Sequence, residues 1–126
     1  MNMGQKTVLI VDDDRYTAEW ISILLRWEGF DTLTCTSGRQ AVQLLQTGKY
    51  LPDIIITAIV MTSMSGQKFI CSVREMRFPC PIIAIGYQEV IDGLDNVQER
   101  AYKSRENSAI NDAMLLRAIE SVMTSP

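Results

Sequence analysis

Three consecutive carboxylates, Asp12-Asp13-Asp14, follow directly on the apolar run Thr7–Val11. Acids so placed can do two things. Oxygens at the mouth of a strand suit a hard divalent cation. An acidic residue just before a helix accepts its free N–H groups and complements its dipole. Little else in the chain is reactive. There is no histidine, which removes the commonest general base and any Ser-His or Cys-His nucleophile pair. Cys35, Cys71 and Cys80 form no CxxC pair, so neither a disulfide framework nor a zinc site is expected, and two or three of them read as small core residues. A second stretch, Asp53-Ile54-Ile55-Ile56-Thr57-Ala58, has the form of a buried strand whose end should carry function, since ligands gather at the carboxyl ends of open parallel sheets. The residue delivered there is Ala58, which neither donates, accepts, ligates nor attacks.

The elements that must position these residues can be read from periodicity. Thr7–Val11 is a strand, and Arg15–Trp27 a helix ended by Gly29. Asp31–Cys35 is a second strand, Arg39–Gln46 a helix, and Asp53–Thr57 a third strand. Ser65-Gly66 opens a helix carrying Phe69, Ile70, Val73 and Met76, and Pro81–Ile85 is a fourth buried strand. Val90, Leu94, Val97 and Ala101 recur at helical spacing despite Gly93. The polar segment Tyr102–Asn107 suits an edge strand, and Ile110–Met123 closes the chain as an amphipathic helix. Strands alternating with helices imply repeated βα units and a parallel sheet covered on both faces. The expectation is one α/β domain over residues 1–126, a doubly wound (βα)5 sheet.

Bulk properties narrow the setting. Hydrophobic residues make up 47% of the 126 and charged residues 21%, which is globular rather than disordered material. The net charge is −3 with no basic run, so nucleic acid is not an expected partner. No apolar stretch approaches the roughly 20 residues that span a bilayer. Met1–Thr7 lacks the form of a signal peptide, and a cytoplasmic protein without membrane contact is expected.

The stretches "VLIVDDD" (8–14), "PDIIITAIVMTSMSG" (52–66) and "PIIAIG" (81–86) resemble, in order and spacing, the receiver domain of two-component response regulators. The likeness runs over roughly residues 5–123. It implies a flavodoxin-like fold with strand order 2-1-3-4-5. It also implies a signalling module rather than an enzyme, one that takes a phosphoryl group from a histidine kinase onto an aspartate at the end of the third strand. Carboxylates after the first strand hold Mg²⁺ in that family. A Thr or Ser after the fourth strand and a Lys after the fifth read the phosphoryl group. Carried over, the acid pair is Asp12 and Asp13, the phosphoacceptor position is Ala58, and the metal-binding carbonyl belongs to Val60. The hydroxyl position falls on Gly86. Counting back from "INDAMLLRAI" places the Lys position on Ser108 and the Pro after it on Ala109. The Pro of the phosphorylation loop is Thr62, and the aromatic switch position falls near Tyr102–Asn107 without a firm place.

On this reading only the acid pair survives, as a weak or vestigial Mg²⁺ site at Asp12, Asp13 and Val60, and no residue is catalytic. Neighbours offer little repair. Asp53 lies at the wrong end of its strand, about 16 Å away at roughly 3.3 Å per residue. Thr57 points to the other face of the sheet. The Thr62 and Ser63 hydroxyls do not make a labile acyl phosphate, which leaves Lys103 or Arg105 swinging in to balance Asp12 and Asp13. The function implied is a phosphorylation-independent receiver acting by protein–protein contact, with a kinase, a phosphotransfer protein, an output domain or a second copy as partner. The alternative is a phosphorylatable receiver carrying an engineered Asp-to-Ala substitution at position 58, which would leave Gly86, Ser108 and Thr62 unexplained. A flavodoxin-like nucleotide binder is disfavoured, because acids stand where a phosphate loop would need glycines.

If chemistry is absent, surfaces must act. At about 100° per residue, Thr17, Trp20, Ile21, Leu24 and Leu25 cover the core face of the first helix. Tyr16, Ile23 and Trp27 extend that arc by roughly 60° onto ground that is normally polar, which is either a margin covered by neighbouring side chains or an apolar patch for a partner or a second copy.

Overall fold

A computed structural model describes residues 5–124; the first residues of the Met1–Thr7 segment lie outside them. In chain order the elements are β1 (Thr7–Val11), α1 (Arg15–Trp27), β2 (Asp31–Cys35), α2 (Gly38–Gln46), β3 (Ile54–Ala58), α3 (Gly66–Glu75), β4 (Ile82–Gly86), α4 (Gln88–Ile91), β5 (Glu99–Tyr102) and α5 (Asp112–Thr124). The strands form one parallel sheet in the order β2-β1-β3-β4-β5, the flavodoxin-like order. Strand alternation sorts the inner strands into two layers. Val8, Ile10, Ile54, Ile56 and Ala58 face Ala18, Ile21 and Leu25 of α1 and Leu115, Ala118 and Ile119 of α5. Leu9, Val11, Ile55, Ile82 and Ala84 face Ala41 and Leu45 of α2 and Phe69, Ile70 and Val73 of α3. Both faces are covered, which is why β1, β3 and β4 read as unbroken apolar runs. Because β2 and β3 flank β1 on opposite sides, the crossovers diverge and leave a crevice at the carboxyl ends of β1 and β3.

The region after β4 departs from the sequence expectation. The helical spacing of Val90, Leu94, Val97 and Ala101 is a coincidence. The helix is only Gln88–Ile91, and Ala101 is the buried residue of β5. Arg100 explains the early stop: its guanidinium donates to Ile91 O at 2.8 Å and Leu94 O at 2.6 Å, satisfying carbonyls that a longer helix would have used. Asn96 then turns with φ +65°. The fifth strand therefore lies at 99–102 rather than within Tyr102–Asn107. It is polar because it is an edge, with one residue fully buried.

Smaller shifts follow from end geometry. β3 runs one residue further than Thr57, to Ala58, and β4 runs to Gly86. Trp20, placed on the core face by the helical wheel, is 45% exposed, its indole N–H donating to Asp112 Oδ1 at 2.8 Å. Among the cysteines only Cys80 is buried; Cys35 is half-buried and Cys71 exposed, and all three are free.

Candidate functional site

The three acids have divided their work. Asp14 is the N-cap of α1, accepting from Tyr16 N at 3.1 Å and from the Thr17 hydroxyl at 2.9 Å. The Thr17 hydroxyl is the main reason its pKa lies below the usual carboxylate value. Asp13 Oδ2 accepts from Thr62 N at 3.0 Å, tethering the loop after β3 to the end of β1. Asp12 is buried, 1% exposed, and its Oδ1 accepts from Asp14 N at 2.9 Å. Its other oxygen, Oδ2, takes no hydrogen bond and stands 3.5 Å from Lys103 Nζ. Burial raises the Asp12 pKa, and the Asp14 N–H and the Lys103 ammonium oppose the rise only in part.

Lys103 balances Asp12, the repair the sequence reading allowed it, and does so from the place after β5 that the reading gave to Ser108. It follows β5 directly, its backbone N–H donating to Gly86 O at 2.8 Å. Ser108, to which counting back from α5 assigned that place, lies in the loop beyond, with φ +59°. The error has one cause: a strand read too late in the chain pushes the residue after it equally late. A basic side chain immediately behind the short apolar pair Ala101-Tyr102 was the available signal. β1 and β5 are three strand spacings apart, about 14 Å, so the Asp12–Lys103 pair closes over the ends of β3 and β4.

Those two strands end in Ala58 and Gly86. Ala58 is 3% exposed, with its methyl in the layer of α1 and α5. Thr57 faces the other layer and turns its hydroxyl inward, donating to Ala58 O at 2.8 Å. The loop leaving β3 is held close by Gly66. Its N–H donates to Ile59 O at 2.8 Å, and a Cβ on it would sit 2.1 Å from Ala58 O. Val60 is 72% exposed in that loop. At Gly86 a Cβ would approach Ile91 Cγ2 to 3.0 Å, so any side chain there presses on α4. The next residue, Tyr87, is fixed: its hydroxyl pairs with Ser108 Oγ at 2.6 Å, and Arg105 lies over its ring at 5.3 Å while pairing with Glu89. This cluster ties the β5–α5 loop to α4 and was not foreseen from sequence.

The donor set is thin for a resident Mg²⁺, since Ala58 adds no carboxylate to Asp12 and Asp13. Mg²⁺ demands near-octahedral oxygen ligation anchored on carboxylates. Each of Asp12 and Asp13 has already committed one oxygen to a backbone N–H, and the free oxygen of Asp12 faces an ammonium. Among the described residues no three acidic, histidine or cysteine side chains form a metal-binding group.

Comparison with known proteins places these features. The family model for the response regulator receiver domain matches residues 8–103. Over 125 residues the chain is 29% identical to the DNA-binding response regulator MtrA of Mycolicibacterium smegmatis, covering 93% of this chain and 54% of that protein. Over 121 residues it is 24% identical to the alkaline phosphatase synthesis transcriptional regulatory protein PhoP of Bacillus subtilis, covering 90% and 50%. The chain thus spans about half the length of these curated relatives. Among solved structures, response regulator TrrA from Thermotoga maritima, in complex with Mg²⁺-BeF, superposes with a TM-score of 0.79 at 25% identity over 94% of this chain and 99% of that one. Chemotaxis protein CheY4 of Vibrio cholerae, at TM-score 0.74 and 21% identity over 94% and 99%, shares the fold.

Proposed function

The chain belongs to the response regulator receiver domain family, and we propose that within it this chain signals without phosphoryl transfer, through protein–protein contact. One observation carries the reading: the residue at the end of β3, enclosed between Asp12 and the Lys103-bearing strand end, is Ala58. A methyl group cannot form the acyl phosphate that the family's aspartate forms. Asp12 and Lys103 instead neutralise each other across the crevice, and with no carboxylate at position 58 to add to Asp12 and Asp13, Mg²⁺ binds weakly. Gly86 offers no hydroxyl to sense a charged group, and Tyr87 is already held by Ser108 and Arg105. The chain is a non-enzymatic module whose partners are kinase, phosphotransfer or output proteins of a two-component system.

The retained Lys103 brings the second reading, a phosphorylatable receiver with Asp replaced by Ala at 58, nearer than the sequence alone suggested. Gly86 and Thr62 weigh against it. Amide spectra recorded with and without acetyl phosphate and Mg²⁺ test the proposal on the chain with Ala58. Unchanged resonances in the β3–α3 loop and at Gly86 are expected. Shifts there that appear only with the phosphodonor would overturn it.

A further inference from the structure

Tyr16, Trp20, Ile23 and Trp27 are spaced 4, 3 and 4 residues apart, which places them within about 60° of one another along α1. All four are exposed, at 83%, 45%, 40% and 87%. The core side of the helix is instead Ala18, Ile21, Ser22 and Leu25. A 4-3-4 stripe is the repeat by which one helix seats its side chains between those of another. The stripe is ordered as well as apolar, because the Trp20 indole is pinned to Asp112.

The residues beside the stripe say what covers it. One flank carries Glu19 and Arg26, both exposed, and among the described residues neither has an ion-pair partner. The other flank carries Thr17 and Leu24, which are uncharged. Two copies of α1 laid antiparallel about a two-fold axis pair Tyr16 with Trp27 and Trp20 with Ile23 of the second copy. In that arrangement each charged flank meets its own kind, and each Glu19 falls opposite an Arg26, twice over. A parallel pairing sets Glu19 against the uncharged flank and leaves Arg26 unmatched. A symmetric interface must be self-complementary, and this face is so in one orientation.

We propose that α1 is a homodimer interface in which two chains pack antiparallel through Tyr16, Trp20, Ile23 and Trp27, held in register by reciprocal Glu19–Arg26 pairs. This stands on α1 alone and is independent of whether position 58 accepts phosphate. A helix of about 20 Å gives an interface at the low end of stable sizes, so association is sought from about 10 µM up to about 1 mM.

Sedimentation equilibrium of the chain over that range is the test, with circular dichroism confirming that each variant is folded. Trp27→Glu should weaken association at least about tenfold. Glu19→Arg and Arg26→Glu each set like charges opposite one another and should weaken it by roughly tenfold at low salt. The double variant E19R/R26E, and an equimolar mixture of the two single variants, should both recover it. A chain that stays monomeric at about 1 mM overturns the proposal. So does a dimer that Trp27→Glu leaves intact, or one in which the double variant and the mixture fail to recover. Should Trp27→Glu fail to fold, Tyr16→Ser probes the other end of the stripe with the same expectation.

Discussion

The outer and inner strand ends of one crevice have been treated differently. Beyond β1 and β5 stand Asp12 and Lys103, charged, buried or nearly so, and 3.5 Å apart. Between them β3 and β4 end in Ala58 and Gly86, the two smallest side chains available. The outer pair supplies charge balance, which a crevice full of acids needs whether or not it reacts. The inner pair would have supplied the nucleophile and the hydroxyl, which only a reacting site needs. On the proposed reading the outer pair is kept for charge balance, and the inner positions carry no chemistry. Gly66 sharpens the contrast, since the backbone bend that presents the end of β3 is held to a 2.1 Å constraint although position 58 has nothing to present.

The largest expected effect tests that bend. Gly66→Ala should cost about 3 kcal/mol or more, because its methyl meets backbone rather than a side chain that can swing away. Denaturant unfolding measures it; a loss under about 1 kcal/mol would mean the loop is slack and its shape not preserved.

Next comes the outer pair. Lys103→Met removes the counter-charge of a buried carboxylate and should destabilise by roughly 1–3 kcal/mol at pH 7. The loss should shrink on acidification, as Asp12 protonates and no longer needs a partner. A loss that does not vary with pH would show that Lys103 acts through packing of its stem.

The smaller, opposite effect concerns Asp12 itself. Its folded pKa is raised by burial, so between the unfolded and folded values the native state binds the extra proton, and stability falls as pH rises through that window. Asp12→Asn should therefore raise Tm at pH 7 by roughly 2–5 °C. The gain should vanish at a pH low enough that Asp12 is already protonated. A lower Tm at pH 7 would mean that the ion pair outweighs the desolvation.

The same contrast separates what sequence can reveal from what it cannot. β1, β3 and β4 were legible because strands buried on both faces must be continuously apolar, and Ala58 was legible because it ends such a run. β5 was not, because an edge strand with one buried residue, Ala101, carries almost no periodic signal. With β5 misplaced, the Lys position after it fell on Ser108, and Lys103 was read only as a neighbour able to swing in. Trp20 was drawn into the core because helical angle alone cannot register that Asp112, 92 residues away, holds its indole at the surface. The division of Asp12, Asp13 and Asp14 into ion pair, loop tether and helix cap required Thr62 and Lys103, which lie on other strand ends.

Restoring only the inner acid tests most directly that chemistry was lost at position 58 while the charged frame remained. The intact mass of the Ala58 chain and of Ala58→Asp is measured after incubation with acetyl phosphate and Mg²⁺. The Ala58 chain should remain unmodified, and the variant should gain one phosphoryl group that is lost on treatment with hydroxylamine, because Asp12, Asp13 and Lys103 already surround the new carboxylate. A phosphoryl group on the Ala58 chain, or none on the variant, would contradict the account.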